Sequence, residues 1–258
     1  GVDEIRFTAA SAGTLTLYAG DTGIETVVIG TGTGESAVTT GIASLNVNAS
    51  AVVNGLSIKG NAGANSLTGT AYADTIAGDA GNDTINSGAG DDLLTGGLGV
   101  DRFTIAIGGG TDHITDLGLG GADIVTVASG ATANANLAAA WIATSVSVNS
   151  GTENITTNGF TVNLAAVITG HGFSVINNTD QASLITGSGQ SDTLTGGADN
   201  DTLTGGNGVD SMDGCSGSDV YIIGATTEHT AAEIHDSGSS GVDEIRFTAA
   251  SAGTLTLY

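Results

Sequence analysis

Large apolar residues recur at every ninth position in two stretches of the chain, residues 60–104 and residues 187–222. In each nine-residue unit the apolar residue follows a short polar, glycine-rich segment, and the order never slips by a residue. The nine apolar positions are Leu67, Ile76, Ile85, Leu94, Phe103, Leu194, Leu203, Met212 and Tyr221. This period predicts a glycine-rich turn followed by a short strand whose apolar side chain points inward.

Two such units form one coil, so residues eighteen positions apart are predicted to stack on the same side. Outside the two blocks, short β-favouring runs bounded by Gly, Asn, Ser or Thr predict further strands at residues 24–29, 45–47, 124–127, 146–148 and 160–164. One helix is predicted over Ala133–Ala143, with Asn134 as its N-cap and Leu137, Trp141 and Ile142 packing inward. The predicted fold class is therefore all-β, with a single short helix.

The sixth position of each unit predicts a metal-binding function. It is Asp74, Asp83, Asp92, Asp101, Asp192, Asp201, Asp210 and Asp219 in eight units and Asn65 in the ninth. Stacking predicts columns of Asn65, Asp83 and Asp101, of Asp74 and Asp92, of Asp192 and Asp210, and of Asp201 and Asp219. Calcium takes six to eight oxygens, so one ion per stacked pair predicts roughly three ions in the first block and two in the second. The pair that contains Asn65 is predicted to bind most weakly, because an amide has no charge.

Glycines fill most of positions one, two and four, where they are predicted to take positive φ and turn carbonyl oxygens toward the ion. The glycines predicted to supply the sites are Gly60, Gly63, Gly78, Gly81, Gly90, Gly96, Gly99, Gly196, Gly205, Gly208 and Gly217. Tyr72, Gln190 and Asp199 replace the fourth-position glycine, and Asp tolerates the left-handed region better than Tyr or Gln. Distorted or empty turns are predicted there.

Five further acids lie outside the repeats. Asp112, Asp116 and Asp123 follow the first block, and Asp236 and Asp243 follow the second. Two interpretations remain open for them: they close the last calcium site or bind an additional ion, or they are solvated turn residues.

Charge composition supports a metal ion and argues against nucleic acid and anionic membrane as partners. The chain has 27 acidic residues against four basic ones, a net charge of −23. Such a chain repels nucleic acid and anionic membrane. Without cations the stacked carboxylates repel one another, so calcium is predicted to contribute to folding itself. Cys215 is the single cysteine, so no disulfide forms within the chain; a passive small residue and an intermolecular disulfide are its two interpretations.

A longer repeat contains the nine-residue one, because residues 1–18 reappear letter for letter as residues 241–258. The chain is thus predicted to hold one 240-residue period and the start of the next. We divide it into a closing segment plus connector (1–59), a first roll (60–104), a closing segment and connector (105–177), a second roll (178–222) and a closing segment (223–258).

No catalytic motif is evident. The sequence lacks the HExxH pattern of zinc proteases and the GxSxG pattern of lipases. Its four histidines, His113, His171, His229 and His235, are isolated from one another along the sequence. The chain is predicted not to be an enzyme.

The nonapeptide blocks resemble the RTX (repeats-in-toxin) family of secreted bacterial proteins. The resemblance implies a right-handed parallel β-roll that folds on Ca²⁺ outside the cell, and export by type I secretion. The connectors are similar to those of RTX-type surface-layer proteins and large adhesins, which implies self-association at the bacterial cell surface, with cell-surface polysaccharide as a further candidate partner. A self-assembling layer, sheath or fibre is the leading hypothesis. The alternatives are a rigid adhesin stalk and the RTX region of a secreted enzyme or toxin.

Overall fold

The chain folds as a parallel β-solenoid. The structure is a computed structural model and describes residues 1–31, 37–108, 110–224, 233–248 and 254–255. These ranges hold 24 strands and no helix. Each strand in the solenoid pairs in parallel with strands one coil before or after it.

The strands are short, and most have two to four residues. They are β1 (Glu4–Phe7), β2 (Gly13–Thr16), β3 (Thr26–Ile29), β4 (Leu45–Asn48), β5 (Ser57–Lys59), β6 (Ser66–Thr68), β7 (Thr75–Ala80), β8 (Thr84–Asn86), β9 (Leu93–Leu98), β10 (Arg102–Ile105), β11 (Thr111–Leu117), β12 (Ile124–Val127), β13 (Thr132–Leu137), β14 (Trp141–Ile142), β15 (Val148–Asn149), β16 (Thr152–Thr156), β17 (Val162–Asn163), β18 (Ser174–Ile176), β19 (Leu184–Thr186), β20 (Thr193–Thr195), β21 (Thr202–Thr204), β22 (Ser211–Asp213), β23 (Val220–Ile223) and β24 (Glu244–Phe247).

One side of the solenoid is a single sheet of 11 strands, in the order β1-β3-β5-β7-β9-β11-β13-β16-β18-β20-β22. The other side has a seven-stranded sheet, β15-β12-β10-β8-β6-β4-β2, and a six-stranded sheet, β14-β17-β19-β21-β23-β24. The long sheet passes without a break through both nonapeptide blocks and the segments around them. The connectors therefore extend the same coil, a continuity that the sequence did not predict.

The core is a ladder of apolar side chains inside the coil. All nine eighth-position residues, from Leu67 to Tyr221, are at most 1% exposed, as the nine-residue period predicted. Cross-strand register explains the ladder, since Ile58 pairs with Ile76 and Ile76 with Leu94. In parallel strands such a register places each side chain directly over its counterpart in the next coil.

The helix predicted over Ala133–Ala143 is wrong. Residues 132–137 form β13 and residues 141–142 form β14. Ala133, Ala135 and Leu137 alternate inward with a period of two, and Ile142 is 60% exposed instead of packing inward. Trp141 is fully buried, and its Nε1 donates to the Asp123 carbonyl oxygen at 2.9 Å.

The other predicted strands are confirmed with shifted ends, because β3, β4, β12, β15 and β17 overlap the five predicted runs. Across the described ranges, no helix is long and apolar enough to cross a membrane.

Candidate metal-binding columns

The sixth-position side chains stack in columns, as the eighteen-residue spacing predicted. The backbone N–H of Asp83 donates to Oδ1 of Asp101 at 2.8 Å, and that of Asn65 donates to Oδ1 of Asp83 at 2.7 Å. The same bond joins Asp74 to Asp92 at 2.8 Å, Asp192 to Asp210 at 2.9 Å and Asp201 to Asp219 at 2.8 Å. Each coil thus holds the carboxylate of the next coil by one oxygen.

The second carboxylate oxygen distinguishes the aspartates from one another. Oδ2 is buried and has no hydrogen-bond partner in Asp83, Asp92, Asp101, Asp201 and Asp219. A buried carboxylate oxygen without a donor is costly, and a calcium ion supplies the missing positive charge. These residues therefore fit calcium, and the stacked pairs Asp83–Asp101 and Asp201–Asp219 each offer two such oxygens.

Asp74 and Asp192 are different because their own turns satisfy both oxygens. The N–H groups of Thr70 and Ser188 donate to Oδ2 of Asp74 and Asp192, both at 2.6 Å. The hydroxyl groups of Thr70 and Ser188 also donate to these carboxylates. The hydroxyl residue at the second position thus satisfies the carboxylate oxygens that a metal ion would bind in the other units. The sequence analysis missed this role, although the residue type at position two was the available signal.

The substituted fourth positions follow the conformational preferences of their residues. Asp199 has positive φ, 69°, and in the same repeat unit Asp201 keeps an oxygen without a hydrogen-bond partner. Tyr72 and Gln190 do not have positive φ. In these two turns the second-position residue, Thr70 or Ser188, donates hydrogen bonds to the aspartate. The predicted distortion therefore occurs in these two turns and not in the turn of Asp199.

Asn65 offers no unused oxygen. Its Oδ1 accepts from the Asn61 N–H at 2.9 Å, and its Nδ2 donates to the Leu45 carbonyl oxygen at 2.7 Å and to Asn61 Oδ1 at 2.9 Å. The amide is therefore occupied by structural hydrogen bonds, which supports the prediction of a weak site at this end of the column.

Glycine is required for two separate reasons, and only one was predicted. Positive φ occurs at the fourth-position glycines Gly81, Gly90, Gly99, Gly208 and Gly217. The remaining predicted glycines, Gly60, Gly63, Gly78, Gly96, Gly196 and Gly205, do not have positive φ, which corrects the expectation. Position one instead needs space, because a Cβ on Gly196 would lie 2.6 Å from Asp201 Oδ2. Cβ atoms on Gly78 and Gly96 would likewise collide with the aspartates of their own units.

Asp112 and Asp123 extend the two columns of the first block by one coil. Asp112 Oδ1 accepts from the Asp92 N–H at 3.1 Å, and Asp123 Oδ1 accepts from the Asp101 N–H at 2.8 Å. Both carboxylates are buried, which excludes the solvated-turn interpretation for them. Their part in closing a calcium site remains a prediction.

Asp116 and the two acids after the second block occupy other surroundings. Asp116 is buried, and its two oxygens accept from the N–H groups of Gly96 and Gly97 at 2.9 and 2.7 Å. Asp243 Oδ1 accepts from the Asp219 N–H at 3.0 Å and so continues that column, but Asp243 is exposed. Asp236 is exposed too.

Burial raises the pKa of the column carboxyl groups far above the ordinary value. The pKa values of Asp83, Asp92 and Asp123 rise to about 7, and those of Asp101 and Asp201 rise to about 6. Loss of hydration is the largest cause, and repulsion from neighbouring carboxylates adds to it. In the absence of metal these groups therefore hold protons at mildly acidic pH.

Glu153 is a buried acid that the sequence analysis did not predict. Glu153 in β16 is 2% exposed, its Oε1 has no hydrogen-bond partner, and burial raises its pKa to about 8. It pairs with Ala133, which pairs with Asp112, so it lies in line with one aspartate column but outside both blocks. No nonapeptide surrounds it, so no sequence motif pointed to it.

The columns supply carboxylates in pairs. Within the described part of the chain, no group of three or more His, Cys, Asp or Glu side chains is placed to hold a metal ion. Two carboxylates leave most of a calcium shell of six to eight oxygens to backbone carbonyls and water. The glycine turns place many carbonyl groups beside the columns, as the approach of the Gly96 and Gly205 carbonyl oxygens to Gly78 and Gly187 shows.

Three of the four histidines and the single cysteine lie within the described residues. His113, His171 and His235 are exposed, and His229 lies outside the described residues. Cys215 is a free thiol with positive φ, 68°, and burial raises its pKa, which lowers its reactivity at neutral pH.

The parallel coil, the glycine turns and the paired buried carboxylates together define a calcium-binding β-solenoid. Residues 68–103 and 186–221 match the family model of the RTX calcium-binding nonapeptide repeat, which spans four copies of the repeat. Both blocks therefore carry RTX calcium-binding repeats, and the cofactor of this protein is Ca²⁺. None of the curated proteins compared with the chain matches it.

Proposed function

We propose that this protein is an extracellular structural repeat protein, exported by type I secretion, whose calcium-stiffened solenoid assembles with further copies into a surface layer, sheath or fibre. The observation that carries the proposal is the unbroken 11-stranded sheet, which runs through both RTX blocks and the connectors. A coil with one continuous sheet through both blocks suits a load-bearing element, since each coil contacts only its neighbours and length adds through repetition.

Calcium is the proposed control of assembly. The stacked carboxylates repel one another inside a chain of net charge −23, and the ions offset that repulsion while they fill the columns. Type I export fits this dependence, because the chain would leave the cell in low calcium and fold outside it. The protein has no catalytic role in this proposal.

A rigid adhesin stalk is the second candidate, and the same continuous sheet favours it. A stalk uses the stiffness of the solenoid but requires no contact between copies. The two functions therefore differ in what calcium does to the oligomeric state.

Circular dichroism and light scattering during one calcium titration test the proposal. We expect calcium to raise the β-structure content of the partly folded metal-free chain at pH 7.5 and then to drive polymers that excess chelator dissolves. Folding without polymers would overturn the assembly function in favour of the stalk. A matched titration with magnesium is the control, because Mg²⁺ prefers octahedral, water-rich sites and should not replace calcium.

A further inference from the structure

The same four residues form a strand at each end of the solenoid. Glu4–Phe7 is β1 and Glu244–Phe247 is β24, and both lie in the segment that occurs twice in the chain. β1 is the first strand of the 11-stranded sheet and β24 the last strand of the six-stranded sheet. Each therefore has an outer edge on which no strand of the described residues pairs.

β1 and β24 pair with neighbours on opposite sides. β1 pairs with the strand that follows it, with Glu4 opposite Thr26 in β3. β24 pairs with the strand that precedes it, with Glu244 opposite Val220 in β23. In a coil that advances along one axis, the edge facing the preceding turn and the edge facing the following turn are opposite. One strand of this sequence can therefore hold both neighbours at once.

The inward side chains agree between the two copies. Ile5 lies opposite the buried Val27, and its counterpart Ile245 lies opposite the buried Tyr221. The same face of the strand thus points to the core in both places, and no register slip is needed to combine the two pairings.

Side-chain exposure differs between the two copies of the strand. Ile245 is 39% exposed, and the side chains of Glu244 and Arg246 are 55% and 52% exposed. In β1, where the following strand is present, the side chains of Glu4 and Arg6 are only 20% and 17% exposed. A following strand on β24 would cover these groups in the way that β3 covers β1.

We infer that a second copy of this chain continues the solenoid at β24, with its β3 on the outer edge of β24, so that residues 241–258 of one copy are residues 1–18 of the next. The strand order at the joint is β23, β24 and the second copy's β3. The register places Glu244 between Val220 and Thr26. This inference rests on the proposed assembly of copies and states where and how two copies join.

The joint changes the side of the solenoid. β24 lies in the six-stranded sheet, whereas β1, which it replaces, begins the 11-stranded sheet on the opposite side. The 11-stranded sheet of each copy therefore continues the six-stranded sheet of the copy before it. Successive copies expose their long sheets on alternating sides of the fibre.

Two disulfides in one molecule test the joint. The protein is the full chain followed by a second copy of residues 19–258, with Cys215→Gly in both copies. Ile222→Cys and Arg246→Cys in the first copy probe the pairing with β23. Glu244→Cys in the first copy and Thr26→Cys in the second probe the pairing with β3. Adjacent strands are about 4.8 Å apart, within the Cα–Cα range of disulfides.

We expect mass spectrometry of the oxidised, calcium-loaded protein to find both disulfides in the same molecule. A matched control carries Thr26→Cys in the first copy instead of the second, and it should form only the disulfide with residue 222. The inference is wrong if the test protein forms only the disulfide between residues 222 and 246. It is also wrong if each disulfide forms but the two never occur in the same molecule.

Light scattering on the same protein before oxidation separates this inference from the proposed function. Both disulfides without calcium-driven polymers would support the joint and overturn self-assembly. Polymers without the disulfide between copies would support self-assembly and overturn the joint.

Discussion

The backbone N–H of Asp83 donates to Oδ1 of Asp101 at 2.8 Å, while Oδ2 of each residue is buried without a hydrogen-bond partner. One oxygen of each carboxylate thus holds the coil together, and the other is available to an ion. Because different atoms serve folding and metal binding, substitutions that replace one oxygen can separate the two roles.

Asp83→Asn should remove a metal site without damaging the metal-free coil. The asparagine keeps Oδ1 to accept from the Asn65 N–H, and its amide group replaces only the oxygen without a partner. We expect one bound calcium ion fewer by isothermal titration calorimetry. The stability of the metal-free protein at pH 7 should stay equal or rise, because a buried charge is removed.

Asp74→Asn is the matched variant with the opposite expectation. Its amide group would face the Thr70 N–H in place of the accepting oxygen. We expect a loss of about 1–3 kcal/mol of metal-free stability in urea unfolding, with the number of bound ions unchanged. If Asp74→Asn lost an ion and Asp83→Asn did not, the division of the columns would be wrong.

The metal-free fold should weaken as pH rises from about 4 to 7. The pKa values of Asp83 and Asp92 are about 7 in the folded protein, against the ordinary value of 3.8. Groups with raised pKa favour folding at low pH, and this contribution is lost as pH rises through the folded pKa. Thermal unfolding in chelator at pH 4, 5.5 and 7.5 measures the decline. With saturating calcium the decline should be much smaller, since ions replace the protons.

Glu153→Gln should stabilise the calcium-loaded protein at high pH. The pKa of Glu153 rises from 4.5 to about 8 through burial, so its contribution to stability is lost between about pH 5 and pH 8. Glutamine removes the charge and keeps the size. We expect a higher melting temperature than wild type at pH 8.5 and little difference at pH 4.5. The control Glu25→Gln alters an exposed side chain and should change neither value. Equal melting temperatures of Glu153→Gln and wild type at pH 8.5 would show that Glu153 is not a buried, unpaired acid.

Gly96→Ala should damage the Asp101 site through lack of space. Gly96 does not have positive φ, so alanine fits the backbone, but its Cβ would collide with the Asp101 carboxylate. Overpacking of this kind costs about 1–3 kcal/mol. We expect that loss in chemical unfolding and one calcium ion fewer. Gly20→Ala is the control, because nothing lies within 4 Å of the added Cβ. Equal stability of the two variants would remove the packing argument for position one.

The sequence determined the coil in the two blocks, because a nine-residue period leaves one arrangement in which Leu67, Ile85 and their counterparts all point inward. The same period fixed the aspartate columns, since residues eighteen apart must stack. Outside the blocks the sequence was less decisive about the fold. Residues 133–137 alternate with a period of two, yet their alanines favoured a helix, and pairing of Ala133 with Asp112 and Glu153 overrode that preference.

The tertiary structure alone decided which carboxylate oxygens lack partners. Asp74 and Asp83 are the same residue type at the same repeat position. Only the hydrogen-bond donors around them distinguish the satisfied carboxylate of Asp74 from that of Asp83, which has an oxygen open to an ion. It also decided that connectors and blocks share one sheet and that β1 and β24 present opposite edges. A sequence period specifies which residues stack, but the occupancy of each lone pair and each strand edge depends on neighbours that meet only in the folded chain.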